Sequence, residues 1–135
     1  MADSVYGYDL RPPHPGEDAF FRRNLNVGGM AAEDGRITLN PHSSLTGPER
    51  QAVARNEAVR LHQRDLGIRY TFPLTDAQKA SFAGGPYASG GQAAQQTVVA
   101  RALSGDPSAG ELTDDQRAAA AMTQAHIDMI LRRLR

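Results

Sequence analysis

Several residue types and patterns are missing from this sequence, and each absence excludes something. The chain has no cysteine, so neither a disulfide nor a thiolate metal site can form. No apolar run approaches the roughly 18 residues of a membrane-spanning helix. The first residues lack the basic-then-apolar order of a signal peptide. We therefore expect no membrane partner and a cytoplasmic protein.

An excess of charge is missing as well. The 15 basic residues balance the 15 acidic ones, so the formal net charge is zero. Nucleic-acid-binding domains usually carry a clear positive excess, so the composition disfavours nucleic acid as a partner. Lys79 is the single lysine, and we interpret the preference for arginine as codon usage rather than phosphate recognition. Hydrophobic residues make up 40% of 135 residues, enough for one domain with a modest core.

The N-terminal segment is rich in proline. Residues 1–16 contain three prolines, which exclude the interior of a helix. Tyr6, Tyr8 and Leu10 recur at every second position, as in an edge strand or a docked arm. We expect an extended arm over 1–16, with Tyr6 and Tyr8 as candidate contacts to a partner.

A hairpin and a short strand are predicted from alternating patterns. Asp34-Gly35 lies between two short apolar runs, and this dipeptide favours a tight turn between paired strands. We therefore predict a β-hairpin near residues 27–40. Residues 68–72 also alternate apolar and polar side chains, which fits a single short strand.

A recurring phrase marks the starts of three helices. Thr46, Thr75 and Thr113 each follow a leucine and precede a Glu or Gln three residues later. This is the capping box, in which the two side chains satisfy the first free N–H groups of a helix. Further helices are indicated by charge order and by flanking glycines. The predicted helices span 17–23, 48–66, 76–83, 92–103 and 114–135.

These patterns predict a mostly α fold with a small β-hairpin, which is an α+β class. It has four to five helices, with the longest at the C-terminus, and residues 17–135 form a single domain after the arm.

One pentapeptide is a candidate for a catalytic metal site. Asn56-Glu57-Ala58-Val59-Arg60 resembles the zinc-binding helix of zincin hydrolases, which has histidines at its first and fifth positions. Here Asn56 and Arg60 occupy those positions, and neither is a good zinc ligand. We interpret Asn56, Glu57 and Arg60 as a structural polar cluster that binds the loop at residues 40–44. A degenerate zincin-like hydrolase centred on Glu57 is the alternative.

No other constellation predicts chemistry. The four histidines lack ligand spacing; they are His14, His42, His62 and His126. We expect no catalytic residue, no metal and no cofactor.

The predicted C-terminal helix has two apolar stripes, although a surface helix needs only one. One stripe consists of Ala118, Met122, Ala125 and Met129, and the other of Ile127, Ile130, Leu131 and Leu134. The two stripes predict either burial between elements or a second face that meets a partner. The candidate interaction residues on this helix are Met122, Met129, Ile130 and Leu134.

The first half of the chain resembles short uncharacterised proteins of bacteriophages and prophages. The resemblance rests on Phe20-Phe21, residues 29–41, Ala52-Val53 and residues 56–61. It implies a particle component, an assembly accessory or an inhibitor of a host protein, located in the cytoplasm or within a phage particle. We expect a non-enzymatic helical interaction or assembly module that acts by self-association or by docking to a protein partner.

Overall fold

A computed structural model describes residues 3–134 of the chain, apart from the side chain of Asp3. Met1, Ala2 and Arg135, at the ends of the predicted arm and of the predicted last helix, lie outside the described residues. The described elements are β1 Asp3–Val5, β2 Tyr8–Leu10, α1 Pro15–Arg23, β3 Gly29–Ala31, β4 Ile37–Leu39, α2 Gly47–Leu66, α3 Asp76–Phe82, α4 Gln92–Ser104 and α5 Asp114–Arg133.

The predicted α+β class is confirmed, with five α-helices and four strands among residues 3–134. The C-terminal α5 has 20 residues, a length that it shares with α2. The chain divides into two compact units, Met1–Leu61 and His62–Arg135. The sequence patterns predicted one boundary, between the arm and the domain at residue 16. The division between the two units lies inside α2.

The first unit is built on a small mixed sheet with strand order β1-β2-β4-β3. The outer pairs β1–β2 and β3–β4 are antiparallel, and β2 runs parallel to β4. The predicted hairpin is confirmed as β3 and β4, and Gly35 takes the positive φ of 85° at its turn. One face of the sheet packs on α2 through Ile37, Ala58 and Leu61.

Within the segment predicted as an extended arm or an edge strand, β1 and β2 form a second hairpin. Tyr6 and Gly7 both have positive φ, at 51° and 88°, which is the type I′ geometry of a two-residue hairpin loop. Tyrosine rarely adopts this conformation, so the sequence did not indicate the turn. Tyr6 and Tyr8 are partly buried against the core of the first unit. Both side chains are half-buried, and their contact with a partner stays a prediction.

Two glycines that weaken β3 by composition allow α2 to approach the sheet. A Cβ on Gly29 would lie 2.9 Å from the carbonyl oxygen of Thr38 and 3.0 Å from Val53 Cγ1. A Cβ on Gly28 would lie 3.0 Å from the Leu45 side chain. Glycine at position 29 therefore permits a close backbone approach that a side chain would prevent, whereas a side chain at position 28 would require its neighbours to shift.

All three capping boxes are confirmed. Thr75 and Thr113 are the N-cap residues of α3 and α5, and each forms both bonds of the box. At the start of α2, the Glu49 N–H donates to Thr46 Oγ1 over 3.3 Å, and the Thr46 N–H donates to Glu49 Oε1 over 3.1 Å. Local capping chemistry thus sets the start of each of these helices.

The second unit surrounds a separate apolar core. Its fully or nearly buried members come from the 68–72 segment, α3, α4 and α5; they are Tyr70, Phe72, Phe82, Ala94, Val98, Val99 and Ala120. The predicted strand at 68–72 is absent, because these residues form neither helix nor strand. No strand of the described chain pairs with this segment, and side chains satisfy its backbone instead.

Candidate functional site

The structure joins only part of the proposed polar cluster on α2. The Arg60 Nε–H donates to Asn56 Oδ1 over 2.8 Å, so these two side chains hold each other one turn apart. Glu57 follows Asn56 in the chain, and its side chain is half-buried. This burial raises the pKa of the Glu57 carboxyl, and the charge of nearby Arg60 opposes the rise. The proposed contact of this pair with the loop at residues 40–44 stays a prediction.

Arg50 and Asn40 form hydrogen bonds that hold the loop at residues 40–44 in place. The Arg50 guanidinium donates to the Asn40 carbonyl oxygen over 2.9 Å. The fully buried Asn40 amide donates to the carbonyl oxygens of Phe21, Asn24 and Val27, and it accepts from the His42 N–H. Neither Arg50 nor the Asn40 side chain was among the groups that the sequence indicated for this role. An Asn directly after a strand and before a proline was the available signal, because such residues bond to nearby backbone.

The described residues bring together no group of three or more metal-ligating side chains. His42 Nε2 lies 2.8 Å from Asp18 Oδ1, and this bond lowers the pKa of the Asp18 carboxyl. His14 and His42 are exposed, whereas His62 is 3% exposed. These histidines thus occupy different environments.

Each unit has an open cleft among its described residues. The cleft of the first unit has a volume of about 640 Å³ and combines apolar walls with Arg50 and Arg55. The cleft of the second unit has a volume of about 380 Å³ and lies beside Gln78 and Thr113. Arg50, Gln78 and Thr113 already form the bonds that hold their own unit together. The linings of these clefts therefore combine apolar side chains with polar ones that already stabilise the unit.

Buried and half-buried glutamines form hydrogen bonds in the second unit that the sequence did not indicate. The Gln92 side-chain amide bonds to both the N–H and the carbonyl of Tyr70, as a neighbouring strand would. Gln96 donates to the Ile68 carbonyl over 3.2 Å. Gln78 and Gln116, the glutamines of two capping boxes, exchange amide bonds of 2.9 and 2.7 Å. This network is structural, because its bonds are made to the same unit.

One face of α5 is an exposed apolar surface of the kind that contacts a partner. The inner face contributes Gln116, Ala120, Thr123 and Ile127, all buried. The stripe of Ala118, Met122, Ala125 and Met129 is exposed along its whole length. Met122 and Met129 are 55% and 42% exposed. We call these four residues the Ala/Met face.

The second predicted stripe of α5 divides between inside and outside. Ile127 is fully buried, Ile130 and Leu131 are half-buried, and Leu134 is 67% exposed beyond the last turn. Within α5, the exposed large apolar side chains are therefore Met122 and Met129, both on the Ala/Met face.

No protein-family model matches this chain, and no significant match was found among curated proteins or solved structures. None of the described helices is long and apolar enough to cross a membrane.

Proposed function

We propose that this protein is a non-enzymatic interaction or assembly module that contacts another protein chain through the Ala/Met face of α5. The observation that supports this function is the exposure of two methionines on a continuous apolar stripe of a long, well-capped helix. Contiguous exposed apolar surface normally marks a contact site, because water solvates it poorly. Methionine also adapts its shape to a partner surface.

The remaining parts of the proposal have separate support. A phage or prophage setting, with a role in the particle or its assembly, rests on the sequence resemblance of the first half of the chain. A cytoplasmic or particle location follows from that setting. The hydrolase alternative still depends on Glu57 alone, and Arg60 beside it is bonded to Asn56.

The function is tested by placing a photo-crosslinking amino acid at position 122 in the organism that carries the gene. We expect covalent adducts of discrete mass, and we expect Met129→Glu to abolish them because a charge on the face opposes desolvation. The matched control carries the crosslinker at Leu25, which is 58% exposed in the first unit. Equal adducts at positions 25 and 122, or none at 122, would contradict the proposal.

A further inference from the structure

The Ala/Met face has the spacing of a coiled-coil seam. Its four members are separated by four, three and four residues, which is the a/d alternation of a heptad repeat. All four are exposed on α5. Such a seam requires a second helix, because each knob needs a hole in a facing helix.

Residue size alternates along the seam. Alanine occupies one heptad position at 118 and 125, and methionine occupies the other at 122 and 129. In an antiparallel pair of helices, each position of one type faces a position of the other type. A second copy of this chain therefore places Met122 opposite Ala125 and Ala118 opposite Met129. Each large side chain then meets a small one, which allows close packing without voids.

Charge at the two ends selects the same orientation independently. The first turn of α5 is acidic, with Asp114 and Asp115, and the last turn is basic, with Arg132 and Arg133. The register that joins Met122 to Ala125 also brings exposed Asp115 opposite exposed Arg132. Two-fold symmetry repeats this pair at both ends of the contact.

Other arrangements lose one of these two matches. A parallel pair sets methionine against methionine and acid against acid at the same level. Shifting the antiparallel register by one heptad sets either Arg132 against Met122 or Asp115 against Ala125. The charge pattern therefore distinguishes one register among those that the apolar spacing permits.

We propose that the partner is a second copy of this chain, joined by antiparallel pairing of the two α5 helices about a two-fold axis between Thr123 and Gln124. This inference rests on the proposed function and names its partner. The Met side chains cover the alanines of the other copy, and the Asp115 and Arg132 side chains pair across the contact.

Sedimentation equilibrium of the purified full chain tests the stoichiometry. We expect a reversible dimer whose dissociation constant increases about tenfold or more in Asp115→Arg and in Arg132→Asp, because each variant sets like charges together twice. Combining both changes restores opposite charges and is expected to recover the wild-type constant. A monomer at all concentrations, or a double variant weaker than both singles, would overturn the inference.

Cysteine crosslinking tests the orientation of the two helices. Because the chain has no native cysteine, only the introduced residues can form a disulfide. We expect a mixture of Met122→Cys and Ala125→Cys chains to form a disulfide heterodimer faster than either variant forms a homodimer. Preferential homodimers of Met122→Cys would indicate a parallel pair and overturn the antiparallel register. Circular dichroism of each variant verifies that α5 is retained.

The combined outcomes separate this inference from the proposed function. A monomeric purified protein that still gives face-specific adducts of another mass in cells would overturn self-pairing and leave the interaction module standing. A lack of adducts at position 122 together with a monomeric mass would overturn both.

Discussion

The two units stabilise their irregular segments by different chemistry. In the first unit, extended segments pair with each other in a sheet, and one asparagine and an ion pair fasten the loops. In the second unit, the extended segment at 68–73 has no strand partner, and the glutamines of α4 and α5 bond to its backbone. Buried backbone groups require partners in either case. The comparison shows that a helix can supply them through side-chain amides.

The largest expected effect concerns the asparagine of the first unit. Asn40→Ala removes the three bonds that the Asn40 amide donates to the end of α1 and the following loop, and it removes the acceptor of the His42 N–H. We expect the free energy of unfolding to decrease by about 3 kcal/mol, since each lost bond contributes about 1 kcal/mol. Urea denaturation of both proteins measures this difference.

Asn40→Asp is the matched control, because it keeps the shape and the acceptor for the His42 N–H. We expect it to be as destabilising as alanine at neutral pH, since a carboxylate would face carbonyl oxygens. A stable Asn40→Asp protein would show that the donated bonds are not what holds the loop.

The corresponding change in the second unit is expected to be smaller. Gln116→Leu removes the partner of the buried Gln78 amide and the donor to the Pro73 carbonyl. We expect a loss of about 2 kcal/mol, because leucine replaces part of the lost packing. Thr113→Val breaks only the cap of α5 and should cost about 1 kcal/mol.

A double-mutant cycle separates the amide pair from the two caps. Gln78→Leu with Gln116→Leu leaves no unpaired amide at this place, so the double variant should cost less than the sum of the singles by about 1 kcal/mol. Strict additivity in urea denaturation would show that the two capping boxes act independently.

Local patterns along the chain predicted many element boundaries. The capping boxes at Thr46, Thr75 and Thr113 and the Asp34-Gly35 turn are short-range features, because the interacting groups lie within a few residues. The long-range partners were not predictable. Nothing near Gln92 indicates that its amide bonds to Tyr70, which lies 22 residues earlier.

The candidate contact surface was likewise predictable only in its local features. The apolar stripe of Met122 and Met129 follows from helical periodicity, whereas its exposure depends on which face the second unit uses for its core. In the N-terminal segment, Tyr8 and Leu10 lie in strand β2, as their alternation indicated. Tyr6 lies in the turn before β2, and its positive φ was not predictable from the pattern.

The smallest expected effect is the response to acid, which tests whether the units differ in their dependence on ionised groups. Arg36 donates to both carboxylate oxygens of Glu17 over 2.9 and 3.0 Å, and this bonding lowers the pKa of the Glu17 carboxyl from its ordinary value of 4.5. A lowered folded-state pKa stabilises the protein above the unfolded value and loses that contribution as the pH falls through the folded value. The glutamine pairs of the second unit carry no titrating group.

Glu17→Gln is therefore expected to cost about 1 kcal/mol at pH 7, and the difference from wild type should disappear as the pH falls below the ordinary glutamate pKa of 4.5. Glu57→Gln provides a control of opposite sign, because burial raises the pKa of the Glu57 carboxyl, and its removal should stabilise the protein at neutral pH. Urea denaturation at several pH values, with amide hydrogen exchange resolved by residue, measures both effects. A Glu17→Gln difference that persists unchanged in acid would show that the ion pair does not distinguish the first unit.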